Sequence, residues 1–265
     1  MRRILVSFAV AVLAMVPAAM ASAQTAEGDV IVVHGVPGLA VDIYVNGDLT
    51  FENSEFGDVF GPLALPAGSY EIEIYPTGSD PATTDPALAG SADLPAGAVA
   101  TIAAYLQEGG SPTLGVFVED NSPTDAGNAR ITARHLADFG PVDILANDGA
   151  VFEGVTNGQG GSVDVPADTY NVKITAAGDP GTVAFDADLT LAEGTNTIAY
   201  AVGSVADETF QVLAATITGL AQPPAGVPTG TGGLVAAPGP LTVAGLSLVG
   251  LVALGASVAV VRRNH

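Results

Sequence analysis

One stretch of this chain occurs twice, and that limits its fold more than any other feature. Val30 to Gly47 reads VIVVHGVPGLAVDIYVNG, and Ile131 to Gly149 reads ITARHLADFGPVDILANDG. His135 stands 101 positions after His34, and Val142-Asp143 stands 101 positions after Val41-Asp42. Copies about a hundred residues apart imply two compact units of ordinary domain size. A chain of 265 residues with 48% apolar content can supply two cores once its terminal segments are set aside.

The local pattern is that of β-structure. Val30 to Val33 is a β-branched run broken by Gly35-Val36-Pro37-Gly38. Alternation then places Val41, Ile43 and Val45 on one strand face, and Asn46-Gly47 marks a hairpin turn. Pro66 and Tyr70 match Pro166 and Tyr170 at an offset of 100. Tyr70, Ile72 and Ile74 share a face. A tyrosine opening a strand after a tight turn resembles the tyrosine corner of Greek-key sandwiches, whose hydroxyl ties back to upstream backbone. Thr101-Ile102-Ala103 pairs with Thr197-Ile198-Ala199 at an offset of 96, and the shortening is expected in loops, chiefly Pro76 to Gly90 against Ala176 to Thr182. The last strands are expected at Leu114 to Glu119 and Phe210 to Thr218. Short strands separated by Gly, Pro, Asn and Asp turns predict an all-β fold of two tandem antiparallel β-sandwich domains of Ig-like or Greek-key type, spanning residues 24–122 and 127–220.

Both ends indicate placement at a membrane. Residues 1–23 combine Arg2-Arg3, an apolar run from Ile4 to Val16 and the exit Ala21-Ser22-Ala23. This is the pattern of a signal peptide cleaved before Gln24. Leu241 to Val261 is uncharged and would span roughly 31 Å as a helix. Arg262-Arg263 follows, which keeps the tail 262–265 in the cytoplasm and the body outside. Residues 221–240 hold five prolines and five glycines and read as a tether. Val227-Pro228-Thr229-Gly230 approaches a sortase signal but lacks its spacing, so a retained transmembrane helix is preferred.

All 28 acidic residues lie between Glu27 and Glu208, against three basic ones there, giving the body a formal charge of −25. Such a field repels nucleic acid and excludes a phosphate-reading function. With no cysteine there are neither disulfides nor thiol chemistry.

His34, Pro37, Val41-Asp42, Tyr44 and Asn46-Gly47, with the later Leu65-Pro66-Ala67-Gly68-x-Tyr70 element, resemble the extracellular domains catalogued as domain of unknown function 4397. The second copy keeps His135, Val142-Asp143 and Asn147 but has Leu145 where tyrosine is usual. The resemblance implies secreted or surface-attached bacterial or archaeal proteins with sandwich-like folds. It supplies no reaction. Pilin-like stalks share the Leu-Pro-Ala-Gly-x-Tyr element and often carry a lysine isopeptide bond, but Lys173 falls opposite the face of Val172 and Ile174.

His34 and His135 are one per domain, so they are expected to be held by hydrogen bonds at strand ends and not to form a ligand set. Asp42 and Asp143 are expected to bind amides of adjacent loops. The acidic groups Glu52, Glu55, Asp58 and Glu119, Asp120, Asp125 lack calcium-loop spacing. No Gly-x-Ser-x-Gly elbow or P-loop occurs, so no residue is assigned a catalytic, cofactor-binding or metal role. The expected function is a non-enzymatic, single-pass surface protein for adhesion, envelope structure or binding. Its expected partners are the membrane, through residues 241–261, and an extracellular protein or envelope polymer. The alternative is an extracellular small-ligand or divalent-cation-binding module.

Overall fold

The computed structural model describes residues 26–222, which form sixteen strands and no helix. The expected signal peptide, tether and membrane segment lie outside the described residues. The first eight strands are β1 (Glu27–His34), β2 (Val41–Val45), β3 (Asp48–Ser54), β4 (Val59–Pro66), β5 (Gly68–Pro76), β6 (Leu88–Leu94), β7 (Val99–Leu106) and β8 (Pro112–Glu119). The second eight are β9 (Asn128–Asp138), β10 (Val142–Ala146), β11 (Gly149–Val155), β12 (Gln159–Pro166), β13 (Thr169–Ala176), β14 (Asp179–Thr190), β15 (Asn196–Ser204) and β16 (Gln211–Ile217).

Sheets ordered β4-β1-β7-β8 and β3-β2-β5-β6 make the first sandwich-like pair. The orders β12-β9-β15-β16 and β11-β10-β13-β14 repeat the same plan with every strand advanced by eight. The expectation of purely antiparallel sandwiches is corrected at one position in each unit. β1 runs parallel to β7, and β9 runs parallel to β15. In each case the two strands are joined only through the strands between them, which allows the same direction.

Val30, Val32, Ala100 and Ile102 pack against Val41, Ile43, Ile72 and Ile74 to form the first core. Ala133, Ala137 and Ala201 pack against Val142, Ile144, Val172 and Ile174 in the second. A further core lies between the units, where Ile31, Val33, Val99 and Tyr105 meet Leu136, Ile198, Tyr200 and Val202. The four sheets therefore stack as layers, with the two expected cores joined through this third one. Inner strands are buried on both faces, and this is why β7 (VATIAAYL) is buried throughout. Thr101 and Tyr200 share a hydrogen bond of 2.8 Å at this junction. Arg134 Nη2 meets the fully buried Glu119 carboxylate at 2.7 Å and lies over the Phe117 ring. Among the described residues, every strand partner and every core residue lies within 27–220.

Strand register corrects two details of the repeat. Val30 pairs with Ala100 and Ile131 with Thr197, so β7 maps onto β15 at an offset of 97. The Thr-Ile-Ala match at 96 is one residue out, and a slip of one reverses every face. Ile102 lies in the first core, whereas Ile198 lies between the units. The change from 101 to 100 also falls inside a strand. β4 has one extra residue at Gly61-Pro62 between the pairs Val32–Phe60 and Val30–Leu63, whereas β12 pairs with β9 without a shift. This is a β-bulge. The remaining three residues are lost between β5 and β6, in the loop where shortening was expected.

The junction between units is closed by a short clamp. Thr124 N–H donates to Leu220 O at 2.7 Å, and Gln222 N–H donates to Thr124 O at 3.2 Å. The chain enters and leaves the second unit at neighbouring points.

Candidate functional site

The recurring polar residues hold loops, in the same way in both units. His34 Nε2–H donates to Leu39 O at 3.0 Å, and His135 Nε2–H reaches Gly140 O at 3.0 Å, with Phe139 O also near. A carbonyl only accepts, so Nε2 carries the proton. Both rings are almost wholly buried, and both Nδ1 atoms lie without a hydrogen-bond partner. Burial pushes each imidazole below its usual range, against the opposing pull of those carbonyls. The two histidines belong to separate cores and do not meet.

Asp42 accepts from the Asn53 and Gly78 amides and from the Thr77 hydroxyl at 2.8 to 3.2 Å. Burial alone would push its carboxyl up, but these donors together hold it below the usual range. Asp143 accepts from the Gly178 and Gly154 amides, which hold it low in the same way. Asn53 and Gly154 both have positive φ, so the carboxylate fixes an equivalent left-handed bend in each unit. Amide binding by both aspartates is as expected from sequence. So is the tyrosine tie, since Tyr70 and Tyr170 each donate to a proline carbonyl, Pro66 O and Pro166 O, at 2.5 and 2.8 Å. Asn46 and Asn147 head the hairpin turns at positive φ and accept the amides of Glu71 and Asn171.

The acidic groups do not converge. Asp58 caps the Glu55 amide, while Glu119 and Asp120 pair with Arg134 and Arg130. Lys173 pairs with Asp148 at the surface, at 2.6 Å. Among the described residues no three His, Asp or Glu side chains come together as a metal-ligand set.

The two units differ in one respect that sequence reading missed. Between the sheets of the first lies an apolar cavity of about 280 Å³, whereas the equivalent space in the second is reduced to two pockets of about 30 and 20 Å³. Register supplies the reason. Tyr70 pairs with Ala92 and Ile74 with Leu88, whereas Tyr170 pairs with Leu189 and Ile174 with Phe185. Gly90 likewise corresponds to Ala187. At these three core-face positions β6 thus carries smaller residues than β14, while Leu94 and its counterpart Leu191 are alike. At the edge, Phe51 stacks on Phe60 with ring centroids 4.3 Å apart. The counterpart of Phe60 is Gly161, where an added Cβ would come within 2.7 Å of the Phe152 ring. One ring fewer lets β11 and β12 close. The cavity reaches the surface beside Asn46, Asp48, Thr50 and Leu63.

The family described as domain of unknown function (DUF4397) matches residues 28–144. That range covers the first eight strands and continues through β9 into β10. No curated protein matches the chain.

Proposed function

We propose that this is a non-enzymatic, membrane-anchored cell-surface protein that displays two β-sandwich repeats for adhesion, envelope structure or binding. The observation behind the non-enzymatic reading is the mirrored use of the chemically capable residues. His34 and Asp42 hold loops just as His135 and Asp143 do. Groups committed to backbone in two separate cores are building turns. Residues 127–220 are best read as a second copy of the family domain, supported by the shared strand order and the repeated His, Asp, Asn and Tyr contacts. The basic and apolar start over 1–23 and the uncharged segment 241–261 before Arg262 support export and anchoring. The partner on this reading is an extracellular protein or envelope polymer.

The test combines location and turnover. Protease applied to intact cells should remove the body while leaving residues 241–265 in the membrane pellet, and residues 24–240 should leave a hydrolase substrate panel untouched. Soluble cytoplasmic protein, or turnover abolished by His34→Gln, overturns the proposal. A specific observation also favours the small-ligand half of the alternative reading: the cavity present in one repeat and closed in the other.

A further inference from the structure

We propose that the first repeat binds a single-chain aliphatic molecule with an uncharged or cationic head, held between its two sheets. The proposal rests on the small-ligand reading and is independent of where the chain is anchored.

Protein interiors are packed densely, and voids larger than a water molecule are few. A cavity of about 280 Å³ in one repeat is therefore a departure, and the second repeat shows that the same plan can be filled. The difference is written into the chain. Ala92 stands for Leu189, Gly90 for Ala187 and Leu88 for Phe185, all along one strand. Phe60, where the second unit has glycine, stacks on Phe51 and keeps the β3 and β4 edges apart.

The lining selects the ligand. Val30, Val32, Ile43, Ile72, Ile74 and Ile102 surround the space with branched aliphatic side chains. It lies between two sheets, which pack about 10 Å apart, so it suits one narrow chain and excludes paired acyl chains. Its volume sits at the lower end for small-molecule sites. Polar atoms gather at the mouth, where Asn46 and Thr50 can meet a head group. Asp48 stands on that rim, and Asp93, which accepts from the Ser69 hydroxyl on the outer face of the same sheet, adds a charge close by in a chain of net charge −21. A carboxylate or phosphate head is repelled there, while a hydroxyl or an ammonium is accepted. The unpartnered Nδ1 of His34 has no part in this inference, because His135 has the same feature where the space is closed.

Methyl NMR spectra of residues 24–240, which contain every strand and core residue among the described residues, test the proposal during titration with decanol, decyltrimethylammonium and decanoate. The Ile43, Ile72, Ile74 and Ile102 methyls should shift saturably with the first two probes, while Ile144 and Ile174 of the second repeat stay in place. Decanoate should bind at least tenfold more weakly at neutral pH. Ala92→Leu, which installs the residue of the second repeat, should abolish the shifts and raise Tm. The exposed Asp48→Asn/Asp93→Asn variant should bring decanoate to within about threefold of decanol. Absence of saturable shifts with decanol, equal shifts in both repeats, unchanged binding by folded Ala92→Leu, or equal affinity for decanoate overturns the proposal. If 1-naphthol alone shifts the first-repeat methyls, the aliphatic class falls and the small-ligand reading stands. If no probe does, both fall.

Discussion

Asp42 and Asp143 do the same work in different surroundings. Asp42 is buried, whereas Asp143 is half-exposed. Hydrogen bonds to a charged group contribute about 1.5–3 kcal/mol, and an orphaned buried amide costs a further 1–3 kcal/mol or so. Asp42→Ala should therefore lower stability by about 2–4 kcal/mol in urea denaturation, and Asp143→Ala should lower it less. Both carboxyls are held low, so their stabilisation is present above the unfolded value of 3.8 and is lost as pH falls below it. The histidines act in a higher window. Burial lowers both below 6.5, so from that pH downward the unfolded chain takes up protons that the folded chain refuses. Stability should fall as pH drops from about 6.5 toward 5, and the His34→Gln/His135→Gln variant should show a shallower slope there. An unchanged slope, read from urea midpoints at matched ionic strength, removes the histidines from the acid response.

Among the elements, the hairpins, the tyrosine ties and most core faces are legible in sequence because each follows from a period of two or from a turn dipeptide. What was missed lies where two strand alignments compete. Thr-Ile-Ala at 96 is the better letter match, but the parallel pairing with β1 sets the register at 97, and only backbone partners reveal it. The bulge in β4 is hidden for a related reason, since one inserted residue inside a strand resembles a loop change in a comparison of offsets. Gly61 sits there at φ 107°, and an added Cβ would come within 2.4 Å of Val30 O. Gly61→Ala should cost about 2 kcal/mol or more, a loss visible as a lower Tm. The cavity had a trace in sequence, as Gly90 and Ala92 correspond to Ala187 and Leu189 of the second copy, but only once the offset of 97 is known.

At the scale of the whole molecule, the junction between units shows why inner strands lack alternation. Runs such as VATIAAYL are a sign of burial on two faces, and they distinguish stacked sheets from a pair of separate sandwiches. Arg134→Leu would leave the Glu119 carboxylate buried without its cation, at a cost of about 3–5 kcal/mol. Tyr200→Phe would orphan the Thr101 hydroxyl at about 1–2 kcal/mol. Both variants should lower one shared calorimetric transition, because the two units have a core in common. Separate melting of each unit in the parent protein is the result that contradicts this. Residues 24–122 alone should expose Ile31, Val33 and Tyr105 and self-associate in analytical ultracentrifugation.

The clamp of Thr124 on Leu220 and Gln222 has a mechanical meaning for any load applied to the chain beyond residue 222. Because the second unit begins and finishes at that knot, tension drawn through residue 222 passes straight to the first unit and bypasses the ninety-odd residues looped between. While the knot holds, the outer strands of the second unit hang free of load.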